Sequence, residues 1–196
     1  MRRRLRRYAA RAHIRQYWAV ITSRPLYVVV SGPPGSGKTT LAAQIARRLH
    51  LPLIAKDLIK ETLMSVMAVP DVETSRVIGQ AAVEVMYAVA AGAPDGAVLE
   101  ANFHRSFSRD GIQALPGPIV EVFCCCDREV AMTRYRGRSE HRHPGHFDDR
   151  RTDDEIWNDE VSAPVAGEWA VLQVNTNSQV DISAVIEDIK RLTESA

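Results

Sequence analysis

The chain of 196 residues is 45% hydrophobic and 25% charged, with 11 Gly, 10 Pro and 3 Cys. It is long enough for one domain with a substantial core and too apolar to be disordered, and no apolar run approaches the roughly 20 residues that cross a bilayer. The net charge of +1 hides a dipole: residues 1–56 hold 12 Lys or Arg and no acid, whereas the remaining 140 hold 13 against 24 Asp or Glu, a net −11.

Residues 1–24 form a basic segment with Arg2, Arg3, Arg4, Arg6, Arg7, Arg11, Arg15 and Arg24. Leu5, Tyr8 and Ala12 fit one apolar helical stripe with arginine on the other faces. A secretory signal would need an unbroken apolar stretch and a small-residue cleavage site, and Arg24 and Pro25 interrupt this one. Three readings stay open: a helix docked on the body, a patch for nucleic acid or anionic lipid, and an organelle presequence. The docked helix is the simplest of them.

From residue 26 strands alternate with helices. Leu26–Ser31 reads as a strand ending in a glycine loop, and Thr39–His50 as the helix after it. Gly32-Pro33-Pro34-Gly35-Ser36-Gly37-Lys38-Thr39 satisfies G-x-x-x-x-G-K-[ST] in the required context, after a strand and before a helix. Glycines let successive backbone N–H groups turn inward around phosphate oxygens, and the helix start adds its positive end. Gly32, Pro33, Pro34, Gly35, Ser36, Gly37, Lys38, Thr39 and Thr40 are therefore the expected nucleotide cradle. Lys38 supplies a point charge to the β- and γ-phosphates, and the Thr39 hydroxyl suits Mg²⁺.

Leu53–Ala55 is a second strand, and Asp57–Met67 a helix that Asp57 is placed to cap. Lys56 and Lys60 can bind an anionic acceptor or be solvated, and the solvated reading is the simpler. Arg76–Ala91 is an amphipathic helix ended by Gly92 and Pro94. Ala97–Glu100 is a third strand, followed by a loop bearing Asn102, His104, Arg105 and Arg109, of which Arg105 or Arg109 best suits carboxylate or phosphate oxygens.

Ile119–Cys126 is a fourth strand, apolar enough to be buried on both faces. Its three adjacent cysteines, Cys124, Cys125 and Cys126, make a poor disulfide framework and a poor zinc site, so they are expected to be reduced and buried, as in the cytoplasm. Asp127–Arg138 is helical with Asp127 at its N-cap. The polar stretch 139–151 reads as a mobile loop. Its His141, His143 and His146 fit a lid turn better than a metal site. Val171–Val174 and Val180–Leu192 are the last strand and helix.

Strands alternating with helices imply a three-layer α/β fold, a five-stranded parallel sheet with helices on both faces. A guanine-selective N-K-x-D motif is missing, and the 157 residues after the loop lack the helical lid domain and arginine finger of an AAA+ motor.

The glycine loop, Asp57 after the second strand, Val98-Leu99-Glu100 ending the third and Thr133-Arg134-Tyr135-Arg136-Gly137-Arg138 together resemble the small P-loop kinases, within them the AAA_33-type group of predicted kinases, akin to gluconate, adenylylsulfate, polynucleotide 5′-hydroxyl and antibiotic kinases. The resemblance covers residues 25–196. It implies a P-loop NTPase fold with an Arg-rich lid at about 134–151, and ATP- and Mg²⁺-dependent transfer of the γ-phosphoryl to a hydroxyl of a small-molecule acceptor. It places Asp57 at the acceptor hydroxyl as base, beside its capping role. Glu100 takes the Walker B position, where the family more often has Asp, and would share Mg²⁺ with Thr39. Arg134 and Arg138, sharing a helix face at i and i+4, would be the charge-neutralising lid pair, with Arg142 in reserve. The loop Gln173–Ser178 would lie near adenine. A polynucleotide 5′-kinase that uses the basic N-terminus to bind nucleic acid, an antibiotic kinase and a non-catalytic ATP-binding module are the alternatives.

Overall fold

The structure is a computed structural model that describes residues 24–138 and 142–194. The readings of residues 1–23 and of His141 lie outside these residues. Five strands, β1 (Leu26–Ser31), β2 (Leu53–Ala55), β3 (Gly96–Glu100), β4 (Ile119–Cys125) and β5 (Ala170–Asn175), form one sheet in the order β2-β3-β1-β4-β5, every neighbouring pair parallel. All five expected strands are present. Leu-Tyr-Val-Val-Val in β1 is almost wholly apolar because the central strand is covered on both faces.

Successive β1 residues divide between two cores. Val28 and Val30 face Leu41, Ala42 and Ile45 of α1 (Lys38–Leu49) and Val185, Ile186 and Ile189 of α7 (Ile182–Glu194). Tyr27 and Val29 face Met86 and Ala90 of α3 (Val72–Ala91) and Ile112 of α4 (Arg105–Gln113). The remaining helices are α2 (Lys56–Met64), α5 (Arg128–Arg136) and the single turn α6 (Asp153–Ile156).

Several elements differ from the sequence reading. Helix α2 ends at Met64, three residues early. Helix α3 starts at Val72, four residues early, because the Asp71 carboxylate accepts the Thr74 N–H at 2.7 Å. Helix α5 covers only Arg128–Arg136; Asp127 holds its N-cap position without a side-chain cap bond, and its own N–H donates to Asn177 Oδ1 at 2.9 Å. Helix α4 was expected as loop. It buries only Ser108 and Ile112, and its first turn is held from afar, the Ser106 N–H donating to Glu160 Oε2 at 2.8 Å. In the expected mobile loop, Pro144–His146 and Asp148–Arg150 form 3₁₀ turns. Cys124 is buried and Cys125 and Cys126 half-buried, all three unpaired.

A charge lies at the centre of the fold. Glu121 of β4 is fully buried, and its carboxylate accepts from Ser31 Oγ (2.6 Å), the N–H groups of Val165 (2.8 Å) and Ala166 (3.0 Å), and Trp169 Nε1 (3.1 Å). Four donors satisfy it, and in exchange it fixes the chain from 165 to 169 against the sheet. Arg109 assists from α4 by donating to Ala166 O at 3.0 Å.

Candidate active site

Sheet register brings the expected site residues to one edge. Val30 and Ala55 both pair with Glu100, so the carboxyl ends of β1, β2 and β3 finish level, and the glycine loop, Asp57 and Glu100 follow from them. In the loop, Gly35 (φ +79°) sits where a Cβ would lie 2.0 Å from Ala131 O, and Gly37 (φ +85°) turns the chain into α1. Trp157 clamps the outer side, its Nε1 donating to Pro34 O at 2.9 Å. Thr39 and Thr40 are exposed at the helix start.

The loop fits a polyphosphate. Lys38 is buried and folds back to donate to Pro33 O at 2.8 Å, and the buried Ser36 Oγ has no partner. Burial pushes the Lys38 ammonium below its ordinary pKa, Glu100, Cys124 and Asp57 resist, and Arg138 adds to the depression. An anion over the loop would relieve both the lysine and the serine. Glu100 is buried at the end of β3; burial raises its pKa, Lys38 lowers it, and a hydrogen bond from Thr39 also lowers it. Thr39 and Glu100 thus stand together as the donors that could hold a divalent cation.

Asp57 Oδ1 takes Lys56 Nζ at 2.9 Å, and Oδ2 takes Arg142 at 3.3 Å. Desolvation pushes its pKa up, but Lys56 and Arg142 outweigh it, so the carboxyl is held well below the usual range. Arg142 is the hub of the segment that follows α5. Its Nη1 donates to Asp148 Oδ2 (2.7 Å) and to the Tyr135 hydroxyl (3.0 Å), and its guanidinium lies 5.2 Å from the Tyr135 ring centre. Burial first, and the hydrogen bond to Asp148 second, push the Tyr135 phenol up to about 12, so it stays protonated and donates to Asp148 Oδ1 at 2.6 Å.

Arg142 Nη2 also approaches His146 Nδ1 at 3.2 Å, and His146 Nε2 approaches Glu61 Oε1 at 2.8 Å. Arginine can only donate, so Nδ1 accepts and Nε2 carries the proton given to Glu61. His146 is neutral in this arrangement, and burial and Arg142 hold its pKa down.

Several expected residues stand elsewhere. Arg134 donates to Thr176 O (2.8 Å) and Asn177 O (2.9 Å), fastening α5 to the loop after β5. Arg138 is exposed beyond α5, near enough to Lys38 to act on it. It is Arg142, the reserve, that reaches Asp57. Arg109 holds the 165–166 backbone, and Arg105 is exposed at the start of α4. His143 caps its own turn, accepting the Gly145 N–H at 3.1 Å. Among the described residues no three His, Cys, Asp or Glu side chains are grouped to hold a metal.

The lysines correct the solvated reading. Lys56 is bonded to Asp57, and Lys60 is buried with its ammonium on Ser75 Oγ at 2.8 Å. The spacing of Asp57, Lys60 and Met64 along α2 places all three on one face, a signal already present in the sequence.

Comparison with known proteins agrees with this fold. A candidate kinase from Chloroflexus aurantiacus J-10-fl superposes with a TM-score of 0.72 at 28% identity, over 87% of this chain and 99% of that one. A gluconokinase from Sinorhizobium meliloti 1021 (TM-score 0.58, 19% identity, 87% and 95% covered) and a shikimate kinase from Acinetobacter baumannii (0.53, 19%, 90% and 96%) share the fold. By sequence, 49 residues are 47% identical to cytidylate kinase of Pyrobaculum neutrophilum, a match spanning 25% of this chain and 27% of that relative. The architecture is the three-layer P-loop NTPase fold. Residues 28–160, about two-thirds of the sequence, match the AAA_33 family, described as an AAA domain, and the chain belongs to that family.

Proposed function

We propose that this chain is an ATP- and Mg²⁺-dependent phosphotransferase acting on a hydroxyl of a small-molecule acceptor. One observation carries the reading: Lys38, Glu100 and Asp57 stand at one sheet edge, close enough that each carboxylate acts on the Lys38 charge, with Arg142 bringing the lid onto Asp57. A module that only binds nucleotide has no use for the second half of that arrangement.

When bound, ATP supplies the γ-phosphoryl and Mg²⁺ offsets its charge. Lys38 and the N–H groups from Gly35 to Thr40 hold the phosphates, and Thr39 and Glu100 hold the cation. Asp57 receives the acceptor hydroxyl. Its lowered pKa makes it a weak base, so it orients the hydroxyl and takes the proton late, as a loose transition state requires. Arg142 and Arg138 approach from the lid, where positive charge stabilises the transferring group, and Tyr135, Asp148 and Trp157 keep the lid ordered. The 176–177 loop, fastened to α5 by Arg134, is the side assigned to adenine. The three unpaired cysteines support a reducing, cytoplasmic location.

The test is γ-labelled ATP and Mg²⁺ with pools of hydroxy acids, polyols, nucleosides, antibiotics and 5′-hydroxyl RNA, beside Lys38→Ala and Asp57→Asn. Label moving into one small-molecule pool, and lost in both variants, is the expected result. Label moving only to RNA would favour a polynucleotide kinase. ATP binding without transfer to any pool would favour a non-catalytic module.

A further inference from the structure

Lys60 is used by nothing described so far. It is 8% exposed in the wall between α2 and α3, and its hydrogen-bond partner is a neutral hydroxyl, Ser75 Oγ at 2.8 Å. Among the described residues no carboxylate forms an ion pair with it. A buried ammonium left with a hydroxyl is costly, and proteins retain such groups where a ligand completes the pair.

Two further features open that ammonium to a ligand. It lies one turn after Asp57 on the same face of α2, so its side chain starts about 5–6 Å from the one that receives the hydroxyl. Opposite it, in the middle of α3, is Gly79. A Cβ there would come into ordinary contact with the Lys60 side chain, at 3.8–3.9 Å from Cδ, Cε and Nζ, so the missing side chain keeps this face of α3 from closing further over the ammonium. A glycine inside a helix weakens it, and no internal contact requires this one.

The electrostatics is unbalanced in the same sense. Around Lys60 stand Lys56 and Asp57 from α2, Ser75 from α3, and Arg142, His146 and Arg151 from the lid. Asp57 is already shared by Lys56 and Arg142, and Glu61 is taken by His146. Burial, then Lys56, lower the Lys60 pKa to about 8, with Asp57 pulling back and Arg142 and Arg151 lowering it further.

We infer that the acceptor is an anionic alcohol, a hydroxycarboxylate or a phosphorylated alcohol, whose anion pairs with Lys60 one helical turn from the hydroxyl held by Asp57. The inference rests on the proposed phosphotransferase reading and narrows it to one acceptor class. Lys60 is a specificity residue in this account, not a participant in the transfer.

The experiment fills the glycine loop first, with Mg²⁺ and a non-hydrolysable ATP analogue, so that added anions cannot occupy it. Matched probes are then titrated at pH 7: glycerol, glycerate and glycerol 3-phosphate, and sorbitol beside gluconate. The expected result is binding by at least one anionic member and not by its neutral counterpart. Lys60→Met should weaken that binding at least tenfold while binding the ATP analogue as the wild type does. Lys60→Arg should retain the anion and extend its binding above pH 8, where wild-type affinity falls; the carboxylate and phosphate arms show which anion is preferred. Neutral polyols binding as well as the anions, anions binding Lys60→Met as well as wild type, or no probe binding at all would each overturn the inference. Label transfer from γ-labelled ATP, in parallel samples that contain no analogue, reads the parent proposal separately. Transfer to a neutral polyol that ignores Lys60→Met keeps the phosphotransferase and sinks the anion, whereas Lys60-dependent anion binding without transfer to any acceptor does the reverse.

Discussion

Arg142 and Asp57, 85 residues apart in the chain, meet at 3.3 Å, so the start of α2 and the segment after α5 share one carboxylate. A carboxylate has about four lone-pair directions, and Lys56 and Arg142 occupy one on each oxygen, which leaves room for a hydroxyl. Asp57→Asn keeps the shape and loses the charge. Its transfer rate should fall by about 10²–10⁴-fold, the span of general-base contributions, while ATP affinity stays within about threefold of wild type. Single-turnover transfer and nucleotide titration check both halves. An Asn variant that transfers at the wild-type rate would remove Asp57 from the chemistry.

Removing the partner acts on the same group from the other side. In Arg142→Ala the Asp57 pKa should rise toward the ordinary carboxylate value, stopping short of it because Lys56 remains. The sign for stability follows: a carboxyl held low in the folded state contributes stability above pH 4 that is lost as pH falls through its folded pKa. Arg142→Ala should therefore lose less stability on acidification than wild type does, and its transfer rate should drop about 10²-fold. A carbon-detected NMR titration of the aspartate carboxyls, run with the rate assay, tests the pair of effects together.

Elements were legible where their signal is local. The β-branched runs of β1 and β4 and the glycine loop specify strand, turn and helix within a dozen residues, and the structure follows them. Helix α4 was not legible, because Arg105–Gln113 buries two residues and its first turn is satisfied by Glu160, 54 residues away. The contacts of the arginines are not legible for a related reason. Spacing along α5 ranks Arg134 with Arg138, but Arg142 is selected by Asp57 and Asp148, which no local period relates to it. Lys60 is misread by residue type: lysines are mostly exposed, and its place on one face of α2 with Met64 yields a buried ammonium because that face packs on α3.

Glu121 makes a prediction that does not involve the site. Truncation in Glu121→Ala leaves Ser31 Oγ, two backbone N–H groups and Trp169 Nε1 without their acceptor inside the fold. Breaking a buried charge network of this kind typically costs about 3–5 kcal/mol. Glu121→Gln keeps the oxygen on one side and should cost less, about 1–3 kcal/mol. Urea unfolding read by tryptophan fluorescence gives both numbers, and equal stability of all three proteins would show that the carboxylate is dispensable.

The last prediction sets the stability of the fold against its use. The Lys60 ammonium has a pKa of about 8 in the folded chain and 10.5 as the ordinary value. Below pH 8 both states bind the proton, and the folded state carries the full cost of a buried charge. Between pH 8 and 10.5 the unfolded chain still binds the proton while the folded chain has released it, so stability rises with pH across that window. Lys60→Met has no proton to lose. At pH 7 it should be more stable than wild type by about 1–3 kcal/mol, and the gap should close as pH approaches 10. Subtracting the two urea-unfolding curves at each pH cancels every other titration they share, so the difference reports Lys60 alone. A gap that stays constant from pH 7 to 10 would mean that the gain comes from packing of the methionine, and that the buried ammonium costs the fold nothing.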